Sequence, residues 1–206
     1  MEKKEALLGI AERLFSRNGY RDVCVRDIAA AAGLGAASFY TYFPGKESLY
    51  EEIIDRLERR GISELSKRVE SFKSPLNKLR ALFRSVISSL RGNVILLGVY
   101  SGQKLYTYPG SEKRSLRGSA LLGHIEGLIG GILAEGTRKG IFRTDVFRNP
   151  TQVLMAVFRS LLTETAVADV DDLIRDASLL VERGLKRWIR LRMRDERLDR
   201  RASRIP

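Results

Sequence analysis

Cysteine and histidine are nearly missing from this chain of 206 residues, which holds one of each, Cys24 and His124. A lone cysteine excludes an internal disulfide framework. A lone histidine leaves almost no material for a His/Cys metal site or a Ser-His-Asp triad, so no metal or other cofactor is expected. A phosphate-binding loop is missing as well. Gly45-Lys46-Glu47 lacks the earlier glycine and the following Ser or Thr that such a loop needs, and no nucleophile-base pair stands out, so an enzyme is not expected. No apolar run approaches the roughly 20 residues of a membrane-spanning helix. The opening Met1-Glu2-Lys3-Lys4-Glu5 lacks the apolar core and cleavage site of a secretory signal. These shortages lead to the expectation of a cytoplasmic protein without a membrane partner.

What is present is helical periodicity. Hydrophobic residues make up 44% and charged residues 30%, enough apolar surface for a sizeable core. Leu7, Ile10, Ala11, Leu14 and Phe15 mark one helix face, closed by Asn18-Gly19. Of only five prolines, Pro44, Pro75, Pro109 and Pro150 sit between apolar-periodic segments, where helix starts and connections tolerate them. The segments between them, about 46–72, 75–91, 94–107, 111–139, 150–168 and 170–195, read as long helices. Strict apolar-polar alternation is nowhere sustained, so no sheet is expected. The fold class is all-α, with about nine helices.

The net charge is +12, but its distribution matters more than its sum. Residues 1–47 carry seven basic and six acidic residues, whereas 183–206 carry ten and three. Much of the excess is thus a C-terminal basic segment, either solvated surface or an extra arm for DNA.

The first 45 residues have a finer grain than the rest. A short helix over 26–32, a turn at Gly33-Leu34 and a second short helix over 36–43 have the form of a helix-turn-helix. Ile28, Ala32 and Leu34 are placed to pack with Phe39 and Phe43. Ala29 and Ala30 allow close approach, and Gly33 supplies the left-handed backbone that ends the first helix sharply. Such a pair holds one helix out for a major groove. The run Gly19-Tyr-Arg-Asp-Val-Cys-Val-Arg-Asp-Ile-Ala-Ala-Ala-Ala-Gly33-Leu34, followed by Ser38-Phe39-Tyr40-Thr41-Tyr42-Phe43-Pro-Gly-Lys46-Glu47-Ser-Leu49, resembles the TetR family of bacterial transcriptional regulators. The resemblance covers about residues 1–61. It implies an N-terminal helix-turn-helix DNA-binding domain over 1–61, with the motif at about 24–43. Residues 62–206 would form a larger effector-binding and dimerisation domain.

Chemistry then suggests roles. Tyr40, Tyr42 and Lys46 are candidates for phosphate contacts, through two phenol donors and an ammonium at a helix start; Tyr42 could instead pack inward. Arg26 suits guanine or phosphate, with an ion pair to Asp22 or Asp27 as the rival. Where the family often has Ser, Lys and Gly, this chain has Gly35, Ala36 and Ala37, which offer thymine methyls only apolar contact. Direct readout therefore falls on Ser38, Thr41 and Arg26, and DNA shape gains weight. Cys24 stands where the family often caps the next helix with Thr or Ser. A small, partly buried substitute for that cap and a redox sensor are the two readings.

In the larger part, Ser119, Gly123, Gly127 and Gly131 recur every four residues along one helix face. Each interior glycine costs about 1 kcal/mol against alanine, so the stripe calls for a reason. Close approach of another helix is one; room for an effector, with Tyr100, Gln103, His124, Tyr106 and Glu126 as polar fixtures, is the other. Val157, Leu161, Leu180, Leu185 and Trp188 lie on apolar faces of the last two helices, the pair with which the resemblance implies a four-helix dimer interface. The expected function is a ligand-responsive repressor binding a pseudo-palindromic operator as a homodimer. Its partners would be double-stranded DNA, a second copy of itself and an apolar or mixed organic effector. A sequence-indifferent nucleoid protein and, behind it, a small helical enzyme are the rivals.

Overall fold

The computed structural model describes residues 2–109, 119–142, 144, 147–165, 175, 176 and 179. Among them are eight helices and no strand: α1 (Glu2–Asn18), α2 (Val25–Ala31), α3 (Ala36–Tyr40), α4 (Lys46–Glu70), α5 (Pro75–Arg91), α6 (Val94–Tyr100), α7 (Ala120–Arg138) and α8 (Pro150–Thr165). No single helix among the described residues is long and apolar enough to cross a membrane.

The amphipathic faces land where the periodicity puts them. Leu7, Leu8, Ala11 and Phe15 of α1 are buried, and the helix stops at Gly19, whose φ of 75° a side chain would strain. The 25 residues of α4 run through the whole molecule. Near its start, Lys4 of α1 pairs with Glu52 at 2.8 Å, and Arg56 bonds Glu5. Near its end, Ser66 meets His124 of α7. Buried residues from Leu7 to Phe158 form one continuous apolar cluster that crosses residues 61 and 62 without a break.

Two expected boundaries move. The segment read as helix over 94–107 ends at Tyr100, because Gly102 takes a φ of 70° and the Gln103 N–H donates back to the Gly98 carbonyl at 2.9 Å. The segment read as helix over 111–139 begins at Ala120. Ser119 is extended and caps α7, its hydroxyl accepting from the Leu122 N–H at 3.1 Å. The expected helix over 170–195 lies almost wholly outside the described residues.

Candidate nucleic-acid interface

The α2–α3 pair is built by its turn. The Gly33 N–H donates to the Ala30 carbonyl at 3.0 Å, and the Leu34 N–H to Ala29 at 2.8 Å, with Gly33 at a φ of 66°. That closure ends α2 and drops Leu34 onto the core. Phe39 is fully buried while Gly35, Ala36, Ala37, Ser38, Tyr40 and Thr41 are all exposed. One apolar anchor thus fixes a five-residue helix whose other side chains face outward. Tyr40 is 58% exposed, its ring edge-on to Phe39 at 5.5 Å. Tyr42 is half-buried against the apolar cluster.

At the start of α2 the Cys24 N–H donates to Asp27 Oδ2 at 2.9 Å. The bonds from Cys24, side chain first and backbone second, hold the Asp27 carboxyl below its usual range. Cys24 is exposed rather than partly buried; its backbone forms the cap, so its side chain need not turn inward. With Asp27 so occupied, Arg26 is exposed and forms no ion pair among the described residues. The exposed surface of α3 carries no charge, so Arg26 is the cation that α2 and α3 present.

Lys46, considered for a phosphate, is engaged within the head. Its ammonium donates to the carbonyls of Tyr20 and Val23, both at 2.9 Å, and lies 4.2 Å above the Tyr20 ring. The connection between α1 and α2 leaves those carbonyls without helical partners, and Lys46 fills that need. In this position it braces the head.

An aromatic cluster behind this head escaped the sequence reading. Phe15, Tyr20 and Tyr50 pack with centroids 4.8–5.9 Å apart, and Tyr108 lies 5.5 Å from Tyr50. Tyr50 donates to the Tyr106 carbonyl at 2.9 Å, and the Tyr20 N–H donates to the Leu105 carbonyl at 2.8 Å. The segment after α6 is thereby bonded to the base of the helix-turn-helix. A concentration of tyrosines at 100, 106 and 108 was the only signal for it.

Of the residues considered for an effector, Tyr100 and His124 both reach α4. The buried Tyr100 hydroxyl donates to Glu58 Oε1 at 2.6 Å and lies 2.8 Å from Ser119 Oγ. Burial, and next the Glu58 charge, push the Tyr100 hydroxyl pKa up. His124 Nε2 meets Ser66 Oγ at 2.8 Å. Gln103 is half-buried beyond α6, Tyr106 packs its ring on Gly98, and Glu126 accepts from Gln152 at 3.5 Å. Gly123 and Gly127 do not join them. Both are exposed, and a Cβ on either, or on Gly131, would meet nothing within 4 Å. Among the described residues the glycine stripe faces outward and lines no interior space, because the bulky residues of α7, Leu121, Ile125, Ile129 and Ile132, take the inner face. Val153, 53% exposed, and Ala156, also exposed, continue an apolar outer surface on α8, with Val157 half-buried beside them. The Leu161 side chain, Leu180, Leu185 and Trp188 lie outside the described residues.

Residues 7–53 match the family model of bacterial regulatory proteins, tetR family. The chain is 34% identical over 85 residues to the HTH-type transcriptional regulator EthR of Mycolicibacterium smegmatis, a match covering 41% of this chain and 38% of that one. It is 28% identical over 144 residues to the HTH-type transcriptional repressor KstR2 of Rhodococcus jostii, covering 70% of each. Its fold is similar to that of the transcriptional regulator FadR from Bacillus subtilis, solved with stearoyl-CoA. The TM-score is 0.67 at 20% identity, over 87% of this chain and 98% of that one.

Proposed function

We propose, from the premise that residues 7–53 make this chain a member of the tetR family of bacterial regulatory proteins, that it is a ligand-responsive transcriptional repressor acting as a homodimer on a pseudo-palindromic operator. The observation that carries the reading is the exposed α3 on its Phe39 anchor, with Arg26 beside it and free of ion pairs among the described residues. Arg26 reads a base edge or binds a phosphate. Ser38 and Thr41 donate within the groove, Ala36 and Ala37 lie against thymine methyls, and Tyr40, with Tyr42 at the margin, donates to phosphate. Residues 1–61 act as the reading head, and the rest as the effector-binding and dimerisation part.

The outward face of α7 and α8 is the dimerisation surface. Gly123, Gly127 and Gly131 let a second copy approach closely, and Val153 and Ala156 add apolar contact. A two-fold axis there sets two heads one helical turn, or a multiple, apart. The effector is a small organic molecule, as the FadR neighbour with its stearoyl-CoA illustrates. Release follows from α4. Tyr100 and His124 bond to it from α6 and α7, and the segment after α6 bonds to the reading head. A ligand that binds a displaced α6 or α7 more tightly shifts the two heads apart.

Selection of bound duplexes from a random pool tests the reading. The expected result is enrichment of an inverted repeat with half-sites about ten base pairs apart or a multiple of that. Uniform recovery of all sequences with a steep salt dependence would instead support the nucleoid-protein alternative.

A further inference from the structure

The connection from α4 into α5 turns within four residues, 71–74, and leaves a groove of about 1030 Å³ between the two helices. Its floor holds the buried Leu65 and Ala81. Among the described residues its walls carry Lys67 and Arg68 from α4 and Arg80 and Arg84 from α5, against one carboxylate, Glu64. Lys67, Arg68 and Arg84 are exposed and form no ion pair among the described residues. Lys67 and Arg68 sit in the last turn of α4, where the helix dipole accounts for a cation. Arg80 and Arg84 lie one turn apart in the middle of α5, where no dipole asks for them. Arg80 donates to Asn77 Oδ1 at 3.4 Å; Lys67, Arg68 and Arg84 lining one groove repel one another, and a multivalent anion relieves that repulsion.

The rest of the lining narrows the anion. Ser85, Ser88 and Ser89 add neutral hydroxyl donors. Phe72, 37% exposed, offers an aromatic face. Guanidinium forks match phosphate oxygens in pairs, and the volume lies at the upper end of small-molecule sites. Operator DNA is an unsuitable occupant. Glu64 stands 18 residues along α4 from Lys46, about 27 Å at 1.5 Å per residue, well away from the α2–α3 head. The groove also opens on a different face of α4 from Ser66, which meets His124. We infer that the α4–α5 groove binds a phosphorylated organic anion of nucleotide size, its phosphates on Arg68 and Arg84 and its apolar portion against Leu65 and Phe72. The site is separate from the effector route above and does not depend on it.

A fluorescent nucleoside diphosphate titrated into the full chain is the test, with inorganic pyrophosphate, a polyglutamate peptide and a short duplex as competitors. The expected result is saturable binding of one probe per chain, displaced by pyrophosphate. The double variant Arg68→Gln/Arg84→Gln should weaken it at least tenfold while its melting temperature and its affinity for the selected operator stay unchanged. Both side chains are exposed, so the fold does not depend on them. Three results would overturn the inference: no saturable binding up to millimolar probe, undiminished binding by the double variant, or displacement by polyglutamate or duplex as efficient as by pyrophosphate.

Discussion

Lys46 shows how one side chain redistributes an argument. An ammonium at a helix start invites a phosphate, yet two loop carbonyls hold it at 2.9 Å. For a half-buried, solvent-screened ammonium, the two bonds together are worth about 1–3 kcal/mol. Lys46→Met should therefore lower the melting temperature through a loss of about 1–3 kcal/mol, and should change the salt slope of DNA binding by much less than one unit. A slope lower by about one unit, the signature of a lost phosphate contact, would mean that Lys46 leaves its carbonyls when DNA arrives. Gly19 is a second such position. Its φ of 75° suits glycine, and an added Cβ would collide with the Leu105 side chain and lie 2.7 Å from the Leu105 carbonyl oxygen. Gly19→Ala should cost about 1–2 kcal/mol from the left-handed backbone alone, plus whatever displacing the 101–108 segment costs, read as a lowered melting temperature. The sequence marked Gly19 as the end of α1, but neither the Lys46 brace nor the Leu105 contact was legible beforehand. Periodicity reports which face a residue occupies, and it says nothing of a lysine that turns back or of a distant leucine that rests on a glycine.

Among the elements, α4, α5 and the start of α8 stand within two residues of their sequence-predicted bounds, because proline or a capping turn opens each and an apolar face runs its length. The start of α7 was not legible, since Ser119 caps only when its backbone is extended and the sequence alone does not reveal that. The side of the molecule that the glycine stripe faces was also hidden, as small residues suit a close contact and an open surface equally. That difference is measurable. With nothing within 4 Å of its Cβ position, Gly127→Ala should stabilise the chain by roughly 0.5–1 kcal/mol. Gly127→Leu should keep the fold but yield monomers in sedimentation, with weakened operator binding. A Gly127→Leu chain that remains a tight dimer moves the interface away from this face. The tie between α5 and α7 has its own signature in pH. Lys139 and Lys78 hold the Glu135 carboxyl down to about 2, from an ordinary 4.5. A depressed carboxylate pKa contributes stability above the unfolded value, and that contribution fades as pH falls towards 2. Glu135→Gln should thus melt earlier than the parent near pH 6, and the two should converge near pH 2, in circular dichroism melts at both pH values.

At the scale of the whole molecule, the head and the larger part share one core, and α4 passes through both. On the proposed reading, a change near Tyr100 or His124 would reach the helix-turn-helix through that shared core. The α2–α3 motif was legible because a left-handed glycine at Gly33 and the buried Phe39 and Phe43 are what close this turn. The proposed partner surface was not, because it is defined by what the chain leaves uncovered. The central claim is that the exposed side of α2–α3 reads sequence, with Arg26 as its charged reader. Affinities of the parent and Arg26→Ala for the selected operator, and for duplexes carrying each single base change in it, test this most directly. Arg26→Ala should lose discrimination at one position in each half-site, about 1–3 kcal/mol there, and keep it elsewhere. An unchanged profile, or weakening that is uniform over all duplexes, would contradict it.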